Sequence, residues 1–136
     1  MRLIFNFPLF LVLLAAYILV AMASPAADGQ GLAGTLLQLE LFSGAQFRLS
    51  TNGLFLGGGV IFLFLEMIKS TRTGPSSVMD HLLSTLVFAA FLVTFIVMRA
   101  AGNETFLLLT LMSAVDVLAG FTVTIAASRR DLMVER

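Results

Sequence analysis

Four apolar stretches dominate this sequence and restrict its fold more than any other feature. They cover approximately residues 3–22, 53–69, 78–98 and 105–127, and a helix that crosses a bilayer needs about 20 largely apolar residues. The 136-residue chain is 59% hydrophobic and only 12% charged. A globule of this length has too small a core to bury so many apolar side chains. We therefore predict one all-α membrane domain over residues 1–136, with four transmembrane helices.

The basic residues predict the orientation of these helices, because Lys and Arg are retained on the cytoplasmic side of a membrane. Four spans place six of the 8 basic residues on one side, and no three-span arrangement does so. These six are Arg2, Lys69, Arg72, Arg129, Arg130 and Arg136. Both termini are accordingly expected in the cytoplasm. The net charge of +0 gives no general attraction for nucleic acid, so the expected surroundings are the lipid bilayer and other membrane subunits or further copies of this chain.

The first apolar stretch has a second interpretation. It follows Arg2 and ends in Ala21-Met22-Ala23, a spacing of small residues that resembles a signal-peptidase site. The stretch is long for the apolar region of a signal peptide, so a retained anchor is expected. In either case the following segment is exported.

A β-hairpin is predicted at approximately residues 36–50, in the first outer loop. Apolar and polar residues alternate on both sides of Ser43-Gly44-Ala45. A loop centred on Gly44 would pair Leu41 with Phe47, Glu40 with Arg48 and Leu39 with Leu49. Because an isolated hairpin is only marginally stable in water, its apolar face should either cap the helices or contact a membrane surface or a partner protein.

Asp116 is the ionisable residue placed nearest the middle of a predicted span. A central Asp costs about 2.5–3.5 kcal/mol on insertion, so such residues usually face protein or water. Thr110, Ser113, Gly120 and Thr124 share its helical face. Asp116 is either a hydrogen-bonded contact to another helix or a carrier of protons or cations, and burial favours its neutral form unless a cation is supplied.

A second candidate site lies at the predicted inner ends of spans two and three. Glu66 precedes Lys69 by one turn, so an ion pair at i,i+3 accounts for it. Glu66 could alternatively join Asp80 and His81, the only histidine, in a cluster able to relay protons or bind a metal. No paired-histidine spacing favours a metal. Ser77 and Asp80 also match a capping box that would open span three, and Asn103 matches an N-cap that would open span four.

Three consecutive glycines, Gly57, Gly58 and Gly59, lie within the second stretch. Glycine lowers helix propensity, but small residues allow helices to approach closely in lipid. We predict a close helix contact here, with a local kink as the alternative.

Four parts of the chain carry a resemblance to known proteins: residues 66–74, the pair Asp80-His81, residues 116–121 and residues 129–131. They resemble small uncharacterised four-helix inner-membrane proteins of proteobacteria. The resemblance covers roughly residues 35–131. It implies a location in the bacterial inner membrane and carries no assigned activity.

Two functions follow as hypotheses. The first is a non-enzymatic accessory, scaffold or assembly subunit of a larger membrane complex. The second is a small oligomeric transporter or channel that couples to protons or ions through Asp116. No nucleophile–base set, phosphate-binding loop or dinucleotide fingerprint occurs, so neither an enzyme nor a cofactor is expected. The physiological process, the partner and the oligomeric state stay open.

Overall fold

A computed structural model describes residues 7–23, 32, 34–71 and 75–134 of the chain. These residues form four helices and a two-stranded antiparallel hairpin, which confirms the predicted secondary structure. The elements in chain order are α1 (Leu9–Ala23), β1 (Thr35–Glu40), β2 (Gln46–Ser50), α2 (Thr51–Ser70), α3 (Pro75–Val97), a 3₁₀ turn (Arg99–Ala101) and α4 (Glu104–Val134).

Three of the four helices are long and apolar enough to cross a membrane, judged by length and composition. Their apolar stretches are Thr51–Ser70, Met79–Val97 and Glu104–Ala126. The 15 described residues of α1 are shorter and reach about 22 Å at about 1.5 Å per residue. Many of the large apolar side chains on these helices are exposed, Phe64 and Ile96 among them.

Polar residues at the helix ends explain where the helices start. Ser50 caps α2, because its hydroxyl accepts a hydrogen bond of 3.1 Å from the Gly53 N–H. The predicted cap at Asn103 is confirmed by its side-chain oxygen, which accepts from the Phe106 N–H at 3.0 Å. The capping box at Ser77 is wrong, since α3 already begins at Pro75, a residue suited to the first helical position because it lacks an N–H.

The hairpin forms, but its predicted register is wrong by two residues. Leu39 pairs with Phe47 and Leu37 with Leu49. The loop is centred on Ser43, and Gly44 follows with a φ of 79°, as expected for a three-residue loop that ends in a left-handed residue. A shift of two residues preserves the face of every side chain, so the predicted apolar face remains.

The core of the bundle is aromatic. Tyr17 packs against Phe55 and Phe106, with ring centroids 5.1 and 4.7 Å apart. Phe91 contacts both Phe106 at 5.4 Å and Phe10 at 6.1 Å. Except for Phe55, these rings are at most 1% exposed. They join α1, α2, α3 and α4 into one packed centre.

The bundle has two chemically different ends, which are named here by their contents. At the hairpin end, β2 passes directly into α2 and the 3₁₀ turn joins α3 to α4. At the polar end, α1 begins, α2 ends and α3 begins.

Candidate functional site

A small pocket at the polar end holds most of the ionisable side chains that the bundle buries. It encloses about 20 Å³, room for one water molecule. Helices α2, α3 and α4 supply its walls. It is lined by Glu66, Lys69, Ser70, Asp80, His81, Ser84, Asp116 and Gly120.

The two candidate sites of the sequence analysis are therefore one site. Asp116 and Gly120 from α4 meet Glu66 from α2 and the pair Asp80 and His81 from α3. Sequence positions could not show this convergence, because it depends on how far each helix is displaced along its neighbours. We call this set of residues the polar pocket.

Glu66 makes polar contacts both within α2 and with the start of α1. The predicted ion pair is confirmed, with the Lys69 Nζ 3.3 Å from Glu66 Oε2. The other carboxylate oxygen accepts from the Leu9 N–H at 2.6 Å, where an unpaired donor and the helix dipole favour a negative charge. Lys69 also donates to the Phe7 carbonyl at 3.3 Å. The Glu66–Lys69 pair thus fixes the start of α1 to the end of α2.

Asp116 is 7% exposed and faces protein. The Ser84 hydroxyl donates a hydrogen bond to its carboxyl group. The ion pair seen among the described residues joins Glu66 to Lys69. No described Lys or Arg side chain therefore contacts Asp116 directly. The carboxyl of Glu66 faces the same cavity.

Asp116 lies beside the second half of α2. Gly59, close to the middle of α2, packs against Leu109 and Met112 of α4. Asp116 instead shares the pocket with Glu66, about one turn before α2 ends. Within its own apolar stretch, Glu104–Ala126, Asp116 is close to the middle, as predicted; the packing of α4 on α2 brings it level with the end part of α2.

His81 is held by two residues of α4. Its Nε2 lies 2.6 Å from the Thr124 hydroxyl oxygen. The Thr124 hydroxyl is also within hydrogen-bond distance of the Gly120 carbonyl, at 3.1 Å. A Cβ at Gly120 would lie 2.5 Å from His81 Nδ1, so glycine makes room for the ring. The sequence analysis missed this role, since no local pattern relates the two positions.

Two other residues of the polar stripe do not reach the pocket. Thr110 donates to the Phe106 carbonyl and Ser113 to the Thr110 carbonyl, each at 2.8 Å. Both residues are 2% exposed. Their hydroxyls are satisfied within α4, so these small residues act as packing positions beside the aromatic core.

The three consecutive glycines have different surroundings. A Cβ at Gly59 would lie 2.7 Å from Leu109 Cδ2 and 2.9 Å from Met112 Sδ, a close contact between α2 and α4. At Gly58 the nearest atom is Leu13 Cδ1, at 3.7 Å. Gly57 has nothing within 4 Å and does not share the close contact.

The apolar face of the hairpin, formed by Leu37, Leu39, Leu41 and Phe47, forms a second candidate surface. These side chains are 45–51% exposed. Phe42 at the tip is fully exposed. A Cβ at Gly53 would lie 3.4 Å from Leu49 Cδ1, so the base of this face touches the start of α2, while the four residues named above stay about half exposed.

The described residues contain no group of three or more His, Cys, Asp or Glu side chains placed to hold a metal ion. Comparison of the chain with family models, curated proteins and solved structures finds no match. The polar pocket brings three carboxyl groups and an imidazole to the border of a cavity the size of one water molecule.

Proposed function

We propose that this chain is a non-enzymatic accessory or assembly subunit of a larger membrane protein complex. The observation that carries the proposal is the uncovered apolar face of the hairpin. The occupant to which we commit is an apolar surface of a partner subunit at the outer side of the membrane.

A two-stranded hairpin is marginal without packing on one face, and exposed apolar strands favour association. This hairpin is nevertheless well connected at its base. Thr51 donates to the Gly34 carbonyl at 2.9 Å, and Asn52 donates to the Leu32 carbonyl at 3.2 Å. Ser50 ends β2 and caps α2 without a linker. The base therefore holds the apolar face in a defined place, as a docking surface requires.

The proposal places the chain in the bacterial inner membrane, with four spans and both termini in the cytoplasm. The three long apolar helices support a membrane location, and the distribution of Lys and Arg supports the orientation. Reporter fusions after Thr73 and after Arg136 should give cytoplasmic activity, and a fusion at Gly44 should give activity outside. A cytoplasmic Gly44 would contradict the orientation.

Two matched substitutions test the hairpin contact. Leu39 and Gln38 are neighbours on opposite faces of β1. Leu39→Glu should lower recovery of a stoichiometric partner in native purification with mass spectrometry by about tenfold, equivalent to about 1.4 kcal/mol. Gln38→Glu, opposite Arg48, should leave recovery unchanged. Equal recovery with both variants, or no stoichiometric partner with the unmodified chain, would overturn the proposal.

Transport through Asp116 is the second candidate, favoured by the convergence of ionisable groups in the polar pocket. A route across a single chain would have to pass the buried rings of Phe10, Tyr17, Phe91 and Phe106. Transport would consequently require a pathway between several copies of the chain. A closed homo-oligomer whose ion flux is lost with Asp116→Asn would support this candidate over the subunit.

A further inference from the structure

We propose that Asp116 binds a proton in the polar pocket and that this proton exchanges with water on one side of the bundle only. When the proton is lost, the Glu66–Lys69 pair transmits the change to the start of α1. The ligand is a proton exchanged with water at the polar end. The proposal stands on the polar pocket and is independent of the hairpin contact.

The charges around the pocket are unequally matched. Glu66 has both the Lys69 ammonium group and the Leu9 N–H. Asp116 receives the Ser84 hydroxyl. Two carboxylates that face one small cavity repel each other, and Lys69 is already shared between Glu66 and the Phe7 carbonyl. A proton on Asp116 removes its repulsion with Glu66.

Helices α2 and α3 bring the other titratable groups to the cavity. Helix α2 presents Glu66 and Lys69, and α3 presents Asp80 and His81. Helix α4 contributes Asp116 itself. Helix α1 contributes the N–H of Leu9, and none of its described side chains lines the pocket. Lys69 is thus the lysine that an ionised Asp116 would attract.

Access to the pocket is available from one direction. Asp80 is half-buried, and Ser70 is the last residue of α2, so polar groups lead from Asp116 toward the polar end. On the opposite side lie Thr110 and Ser113, whose hydroxyls are satisfied within α4, and then the aromatic core. A proton can therefore enter and leave the pocket without crossing the bundle.

The structural consequence of proton loss follows from the contacts of Lys69. When Asp116 releases its proton to the water in the cavity, the carboxylate left behind draws Lys69 from the Phe7 carbonyl. The start of α1 then loses one of the two contacts that hold it to α2. The mobility of the start of α1 would therefore depend on the pH of the aqueous phase at the polar end.

Infrared difference spectra between acidic and alkaline samples of the purified chain in nanodiscs test the proton site. The unmodified chain should show the C=O band of a protonated buried carboxyl group. Asp116→Asn, which is nearly isosteric, should lose that band, and Glu104→Gln, an exposed position on the same helix, should keep it. A band that persists in Asp116→Asn, or is absent from the unmodified chain, would overturn the assignment.

A spin label tests the link to α1, because the chain has no cysteine of its own. A label at Phe7→Cys, an exposed position, should become more mobile as the pH rises. The response should be lost with Asp116→Asn and absent from a label at Met22→Cys, at the other end of α1. Constant Phe7-label mobility in the otherwise unmodified chain, or a response retained with Asp116→Asn, would refute the link.

One-sided access is tested with a pH-sensitive dye enclosed in liposomes that contain the protein. After an external acid pulse, the interior should acidify no faster than in protein-free liposomes. Faster acidification would refute one-sided access. Neither this experiment nor the spectroscopy requires a partner, so failure of the hairpin proposal would leave the results interpretable.

Discussion

At the hairpin end, polar side chains mainly bind backbone groups, whereas at the polar end they face one another across three helices. Asn103 caps α4 and donates to the Tyr17 hydroxyl at 2.8 Å and to the Ala100 carbonyl at 2.9 Å. Glu66, His81 and Asp116 come from α2, α3 and α4 and border one cavity. Polar residues therefore cap helix ends where their hydrogen bonds go mainly to backbone groups. They form a pocket where the packing of three helices brings their side chains together.

The two ends also differ in the kind of apolar surface that they expose. The hairpin end presents a strand face that is about half exposed, with no described helix covering it. The polar end buries Glu66, His81 and Asp116 and leaves apolar side chains of α2, Met67 and Ile68 among them, exposed. We infer that the hairpin end contacts partners and that the polar end responds to conditions in the adjacent aqueous phase.

The largest expected effect tests whether the aromatic core separates the two ends. Phe106→Ala removes a fully buried ring that contacts Tyr17 and Phe91, and we expect a loss of about 3–5 kcal/mol in the free energy of unfolding. Reversible unfolding in detergent micelles measures it. Phe64→Ala, an exposed control, should change this free energy by far less. Equal losses would show that Phe106 is not a core residue.

A second prediction compares two glycines. Gly120→Ala forces the rigid His81 ring to move, because the new methyl group would lie 2.5 Å from Nδ1, and should destabilise the fold by about 1–3 kcal/mol. Gly57→Ala meets nothing within 4 Å and should be neutral or stabilising by up to about 1 kcal/mol. The same unfolding measurement decides. If Gly120→Ala were as stable as Gly57→Ala, the close contact between α3 and α4 at His81 would be refuted.

A third prediction separates shape from charge at Asp116. Asp116→Asn keeps the size and the hydrogen-bonding capacity of the side chain and should leave the stability of the fold nearly unchanged. Asp116→Leu should weaken helix packing by about 1 kcal/mol, the usual scale for polar contacts between membrane helices. A stable Leu variant would show that the contact with Ser84 contributes nothing to packing.

The smallest effect is expected at the hairpin end. Tyr17→Phe removes a hydroxyl group that accepts from Asn103 but retains the ring in the core, so the free energy of unfolding should fall by about 0.5–1.5 kcal/mol. The loss should become smaller when Asn103 is also replaced by Ser, which caps the helix equally well but removes the amide donor to residue 17, because the Tyr17 hydroxyl then retains its donation to the Ala100 carbonyl at 3.4 Å. A loss of the same size in both backgrounds would show that the contact with Asn103 contributes nothing.

The sequence predicted the elements of this fold because each depends on a local repeat. Apolar stretches of about 20 residues located the helices, and alternation over 36–50 located the hairpin. Asn103 was recognised as a cap because capping involves residues close in sequence. The hairpin register was missed for a local reason: Gly44 takes the last position of its loop and not the centre.

The polar pocket could be predicted only in parts. The stripe that contains Asp116 and the cluster of Glu66, Asp80 and His81 were both identified, but as separate sites, because sequence spacing fixes the face of a helix and not its displacement along a neighbour. That displacement is decided by packing. Gly59 admits Leu109 and Gly120 admits His81, and these two close contacts place Asp116 level with Glu66. The sequence alone thus determined which residues face inward, and the tertiary structure decided which of them meet, because contact between helices depends on side-chain volumes at positions far apart in the chain.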